Sequence, residues 1–247
     1  MDNKDSKTMK DLQVDQILKG IYQACANAME LFTPENMAQQ IDRIILIGAH
    51  GTGKTTLANA LSKVIDTPVV ESVAREFFKD WKFLEDCEMI NPKAGRVRTA
   101  EAKQNIICSM SRWDFMRWVN ADVPVIMTRC PLDTLAYGFA DPLVSDNLMN
   151  TNVEILKESQ EFCNAIEKSL FIYLPIEFAI EDDGVRPMDK MFQKNVDTCM
   201  RKLMYEFHIA PLVVTGSVEE RMKAILVKVV GAKAAKILMD EYKEEHG

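Results

Sequence analysis

Residues 43–55 read Arg43-Ile44-Ile45-Leu46-Ile47-Gly48-Ala49-His50-Gly51-Thr52-Gly53-Lys54-Thr55, and the fold is decided here. Ile44 to Ile47 form a continuous apolar run, the pattern of a strand buried on both faces of a parallel sheet. The run ends in a loop matching G-x-x-x-x-G-K-[ST] in full, and a helix is expected from about Lys54 to Val64. Phosphate binding requires that order. Glycines let the backbone curl so that successive N–H groups face an anion, and the helix N-terminus adds positive potential. Gly48, His50, Gly51, Thr52, Gly53, Lys54, Thr55 and Thr56 are therefore the candidate nucleotide-binding residues. Lys54 is expected to reach the β- and γ-phosphates of ATP and Thr55 to hold Mg²⁺. His50 is read as a loop position whose backbone matters more than its side chain.

Outward from the loop, strands alternate with helices. Thr67–Glu71 predicts a second strand, Ser72 to about Leu84 a helix, and residues 87–98 a loop around Asn91-Pro92-Lys93-Ala94-Gly95. A long helix is expected over 99–119, with Ile106, Met110, Trp113 and Met116 at helical spacing. Val123–Met127 is the third strand, 145–168 a helical stretch with Leu148, Ile155, Phe162 and Ile166 on one stripe, and Leu170–Leu174 the fourth strand. A helix through Phe192, Val196, Cys199 and Leu203, a fifth strand at Pro211–Thr215, and helices from about Ser217 and Ala232 complete the chain. This alternation implies an α/β, three-layer P-loop NTPase fold around a five-stranded parallel sheet. The expected organisation is a helical N-terminal extension over 1–40, a P-loop domain over 41–230 with a lid near 175–187, and a C-terminal helix over 231–247. In the extension, Leu18, Tyr22, Cys25, Met29 and Phe32 share a helix face, and Thr33-Pro34 opens a second short helix.

Composition narrows the function. A 247-residue chain that is 47% hydrophobic suits one large domain with a sizeable core. No apolar stretch approaches the roughly 18 residues of a membrane span, and the polar start has no secretory apolar segment. Six cysteines are scattered without a Cys-x-x-Cys pair and only three histidines are present, so no structural zinc site is expected. Reduced cysteines suit a cytoplasmic setting. The formal charge of −7 argues against a general nucleic-acid binder.

Other candidates sit where strands end, because ligands of open α/β sheets lie beyond the carboxyl ends of the strands. Glu71 ends the second strand and is a candidate base or magnesium ligand, directly or through water, with Arg75 one turn later for substrate. Arg129 ends the third strand and points to the same crevice. Asp133 opens the next helix, where an acid also complements the helix dipole. The loop Glu181-Asp182-Asp183-Gly184-Val185-Arg186-Pro187 reads as a lid whose Arg186 is brought over the transferring phosphate. No Asn-Lys-x-Asp base-reading motif of a GTPase is present.

The ordered set Gly48–Thr55, Glu71-x-x-x-Arg75-Glu76, Arg129-x-Pro131-x-Asp133-x-Leu135-Ala136-Tyr137, Asp183-Gly184-x-Arg186 and Gly216-Ser-Val-Glu-Glu-Arg221 resembles the nicotinamide-riboside-kinase-like branch of P-loop nucleoside and nucleotide kinases. That branch has many phage-encoded members. The resemblance covers roughly 43–230 and implies a five-stranded parallel core, an ATP donor, Mg²⁺ and an arginine-bearing lid. The chain departs from the family at Thr128, where an acid usually precedes the arginine; Glu71 or Asp133 must compensate, or activity is altered. The leading expectation is phosphoryl transfer from ATP to a hydroxyl of a nucleoside, nucleotide or related small molecule, with Lys54, Glu71, Arg129 and Arg186 catalytic. Two alternatives stand beside it: a hydroxylated base in DNA as acceptor, suggested by Lys93–Arg98 and by Trp113 and Trp118 (themselves read chiefly as core), and a non-catalytic nucleotide-dependent switch. The N-terminal amphipathic face offers a possible homodimer contact.

Overall fold

The computed structural model describes residues 43–70, 92–120, 123–178 and 189–246. Strand β1 (Arg43–Ile47) runs into the loop and then helix α1 (Lys54–Ile65), with β2 at Val69–Val70. There follow α2 (Pro92–Val119), β3 (Val125–Met127), α3 (Pro131–Ala140), α4 (Asp146–Glu158), α5 (Gln160–Glu167) and β4 (Ser169–Tyr173). Helix α6 (Lys190–Glu206), β5 (Leu212–Val213) and α7 (Val218–His246) complete the order. The expected N-terminal helices, the helix from Ser72, and Glu71, Arg75 and Arg186 lie outside the described residues.

The five strands are all parallel, in the order β2-β3-β1-β4-β5. Every residue of β1 is buried, and its side chains alternate between two cores. Ile45 and Ile47 join Phe115, Leu135, Met149 and Val196 on one face. Ile44 and Leu46 join Leu57, Leu61, Met222 and Ile225 on the other. Apolar side chains on both sides of a strand demand helices on both sides of the sheet, which gives the expected three layers. Arg43 is buried as well, and its Nη2 donates to Val119 O at 2.6 Å, satisfying a carbonyl of the last turn of α2.

Four expectations change in detail. Helix α2 begins at Pro92 and not at 99. Proline in a first helical turn lacks only an N–H that would have no intrahelical partner, so Pro92 opens a helix where a loop was expected. The buried face of α2 carries Ile107, Cys108 and Phe115, whereas Ile106 is exposed and Trp113 is 66% exposed, not core. The stretch 145–168 is two helices divided at Ser159, whose Oγ accepts from Phe162 N at 3.2 Å and caps α5. That side-chain bond offers the backbone an alternative to continuing the first helix. In α4 the buried stripe is Met149, Val153 and Leu156, with Ile155 facing outward. The C-terminal pair of helices is as expected: α7 is broken at Gly231, whose φ of 82° and ψ of 161° are non-helical. Cys108 and Cys130 are buried free thiols, and Cys163 and Cys199 are free and half-buried. No described helix is long and apolar enough to cross a membrane.

Candidate nucleotide-binding site

The loop leaves the carboxyl end of the central strand, at the crevice where neighbouring strands continue in opposite directions across the sheet. Gly48 has φ 142°, and a Cβ there would stand 2.5 Å from Leu174 O, so only glycine lets β1 turn this close to the end of β4. Gly53, at φ 87°, is the N-cap of α1. Lys54 is buried, and its Nζ donates to Gly48 O at 2.6 Å and Ala49 O at 2.7 Å. The ammonium thus lies across the mouth of its own loop. Thr52 Oγ1 donates to Ala49 O at 2.9 Å and closes the loop internally. Thr55 is half-buried and Thr56 exposed in the first turn of α1.

The end of β3 supplies the next groups. Asp133 is 1% exposed, and its Oδ2 accepts from Cys130 N at 3.0 Å, the reciprocal bond of a capping box at the start of α3. Its Oδ1 is buried without a hydrogen-bond partner among the described residues. Burial pushes the carboxyl upward, and the charges of Lys54 and Arg129 oppose that rise. The phosphate-loop lysine and the β3 arginine therefore both act on one buried carboxylate. Arg129 lies 5.5 Å from the ring centre of Tyr137. Thr128 is buried, and where an acid was expected its Oγ1 donates to Val70 O at 3.4 Å, alongside the backbone bond from its N–H to the same carbonyl at 3.2 Å.

Two further residues hold the loop from outside, and sequence reasoning assigned a role to neither. Gln193 of α6 donates from Nε2 to His50 O at 2.6 Å. The His50 ring is buried between Tyr137 and Phe192, at centroid distances of 5.9 and 6.1 Å. Arg221 of α7 donates from Nη1 to Thr52 O at 2.8 Å and pairs through Nη2 with Glu177. Glu177 Oε2 also accepts from Gly216 N at 3.0 Å, in the turn between β5 and α7. Phe178, half exposed, covers the guanidinium at 5.0 Å. Arg221 belonged to a recognisable stretch of sequence, but an arginine on a helix gives no sign of being buried. At the carboxyl end of β4, Tyr173 OH bonds Asp197 of α6, which Arg201 pairs at 2.7 Å.

The structure thus brings together Gly48 to Thr56, Arg129 and Asp133. Glu71, Arg75 and Arg186 are not among the described residues.

A complete phosphate loop after the central strand of a parallel five-stranded sheet, flanked by helices on both faces, defines a P-loop protein with the fold of nucleoside and nucleotide kinases. The chain belongs to the AAA domain family, whose model matches residues 43–221. No curated protein matches it. Among solved structures, it is similar to deoxyadenosine kinase from M. mycoides with bound dATP, at 14% identity and a TM-score of 0.53, over 76% of this chain and 98% of that one. Shikimate kinase from Aquifex aeolicus matches at 17% identity and a TM-score of 0.43, over 77% and 98% of the two chains. A NadR protein in complex with NAD and AMP-PNP matches at 17% identity and a TM-score of 0.48, over 74% of this chain and 48% of that one.

Proposed function

We propose that the chain is an ATP-dependent kinase that transfers the γ-phosphate to a hydroxyl of a nucleoside, nucleotide or related small molecule. The observation that carries the reading is the Asp133 carboxyl at the start of α3, 1% exposed with an unpartnered Oδ1 among the described residues, whose rise on burial is opposed by the charges of Lys54, from the loop after β1, and Arg129, from the end of β3. A nucleotide-binding loop alone suits any NTPase. Positive groups gathered from two strand ends suit a site where charge develops on a transferring phosphoryl group.

In this reading the Lys54 ammonium exchanges the carbonyls of Gly48 and Ala49 for phosphate oxygens, which are stronger, charged acceptors. The acceptor oxygen attacks Pγ in line as the bond from Pγ to the β–γ bridging oxygen breaks. The electron pair leaves with ADP, and the hydroxyl proton passes to a carboxylate, for which Glu71 is the candidate. Arg129, and Arg186 from the lid, stabilise charge on the equatorial oxygens. Arg75 and Asp133 are the candidates for binding the acceptor. The donor set fits Mg²⁺, since the Thr55 hydroxyl and the Glu71 carboxylate are hard oxygen ligands and Asp133 keeps an unpartnered buried oxygen. Bound Mg²⁺ would neutralise charge on the β- and γ-phosphates. A cytoplasmic setting, where ATP and reduced thiols coexist, suits this chemistry.

The deciding experiment is ADP release from ATP across a panel of nucleosides, nucleotides and small hydroxylated acceptors, with Lys54→Ala as control. One acceptor class should stimulate release in the native chain and not in the variant. Unchanged turnover in Lys54→Ala overturns the assignment. Tight ATP binding with no transfer to any acceptor assigns the chain instead to the nucleotide-dependent switches. A second reading, a hydroxylated base in DNA as acceptor, draws on one observation: Trp113 is exposed with Arg117 over its ring at 6.0 Å, an aromatic and a cation of the kind that hold an unpaired base and its phosphate. Radiolabel passing from ATP to modified DNA and not to free nucleosides selects it.

A further inference from the structure

We infer that Arg221 is a positioning residue that aims a backbone amide of the phosphate loop; the inference rests on the nucleotide-binding reading of that loop. The Arg221 side chain is 3% exposed. Burying a guanidinium is expensive, and replacing a buried ion pair by well-packed apolar groups is often neutral or stabilising, so stability alone does not account for a charge in this place. What the charge touches does. Nη1 holds Thr52 O, the carbonyl of the peptide that joins Thr52 to Gly53.

A trans peptide is planar, with its C=O and N–H pointing in opposite directions. Holding Thr52 O toward α7 therefore turns the Gly53 N–H away from α7, to the other side of the peptide plane. Gly53 at φ 87° has no side chain to restrain its side of this peptide, so a donor from outside the loop adds to the hold that the Thr52 side chain provides from within. A Cβ at Gly53 would come within 3.4 Å of Arg221 Nη1, so guanidinium and loop are in close contact. Gln193 acts in the same way one peptide pair earlier, where its bond to His50 O fixes the direction of the Gly51 N–H. Donors from α6 and α7 thus grip alternate carbonyls of the loop from outside.

Arg221 is itself oriented. Glu177 takes Nη2 and is fixed in turn by Gly216 N, while Phe178 covers the guanidinium face. The clamp joins three segments: the phosphate loop, the exit of β4 and the turn before α7.

Binding of ATP and of inorganic tripolyphosphate to the full-length chain tests this, because tripolyphosphate engages the loop without a base. Arg221→Met should weaken both ligands by a similar factor of about tenfold or more, the range for losing a charge-assisted bond. Arg221→Lys, which keeps a donor for Thr52 O, should recover most of that loss. A merely structural arginine would lower the melting temperature of Arg221→Met and leave both affinities unchanged below it, which overturns the inference. Should Arg221→Met fail to fold, Glu177→Gln decides: a loss of about threefold or more in both affinities supports the clamp, and native affinities overturn it. A native chain that binds neither ligand sinks the nucleotide-binding reading itself, an outcome distinct from native-like affinities in the variants.

Discussion

Asp133 is the residue at which the chemistry and the stability of this chain are expected to pull apart. Its carboxyl is raised by burial despite Lys54 and Arg129, so the folded state releases the proton at higher pH than the unfolded chain does. Above the unfolded value the folded state holds more protons, and stability falls as pH rises through the folded value. Asp133→Asn keeps an oxygen for Cys130 N and removes the charge. We expect it to unfold at a higher temperature than the native chain at neutral pH, with a flatter dependence of melting temperature on pH. Its ATP-dependent turnover should drop about tenfold or more, the effect of losing one charge-assisted contact. Parallel thermal melts and ADP release measure the two effects. At Thr128, the position read as the missing acid, the buried hydroxyl donates to Val70 O at 3.4 Å, and the buried carboxylate stands five residues later.

Among the elements, α7 starts with a capping box. Glu220 Oε2 accepts from Ser217 N at 2.7 Å, and Ser217 Oγ accepts from Glu220 N at 3.2 Å. The backbone N–H of Ser217 holds the Glu220 carboxyl below the usual range. This stabilisation is present above the ordinary glutamate value and is lost as pH falls through the lower, folded one. Glu220→Gln should therefore flatten the acid limb of stability against pH, as read by denaturant titrations across that limb. Ser217→Ala should cost about 1 kcal/mol at neutral pH by the same measurement. Helix α7 also carries Arg221, so this cap sets the end of the element that grips the phosphate loop. Ser159 shows how a single polar side chain divides one apparent helix into α4 and α5.

At the scale of the molecule, the phosphate loop hangs between two cores that meet at β1. Ile126 of β3 is fully buried in the core shared with α1 and α7. Ile126→Ala should cost about 2–5 kcal/mol in denaturant unfolding. Ligand linkage gives a second whole-chain measurement. ATP at about one hundred times its dissociation constant should add roughly 2.7 kcal/mol to native stability, seen as a rise in melting temperature. Lys54→Ala should lose that rise, and a variant that keeps it would separate Lys54 from nucleotide binding.

By itself the sequence determined what is local and periodic. The run Ile44 to Ile47 and the glycines after it specify a buried strand, a curled loop and a helix, because burial on both faces and positive φ are written directly in residue type. Five strands alternating with helices then leave a parallel sheet as the arrangement that covers both faces. The tertiary structure decided which side of each helix is buried, and so turned Trp113 and Ile155 outward, because apolar residues at helical spacing mark a stripe without saying which stripe the sheet will meet. It also decided the long-range grips of Gln193 on His50, Arg221 on Thr52 and Glu177 on Gly216, which join residues 143, 169 and 39 positions apart. Bonds across such separations depend on where whole helices dock, and no local pattern carries that information.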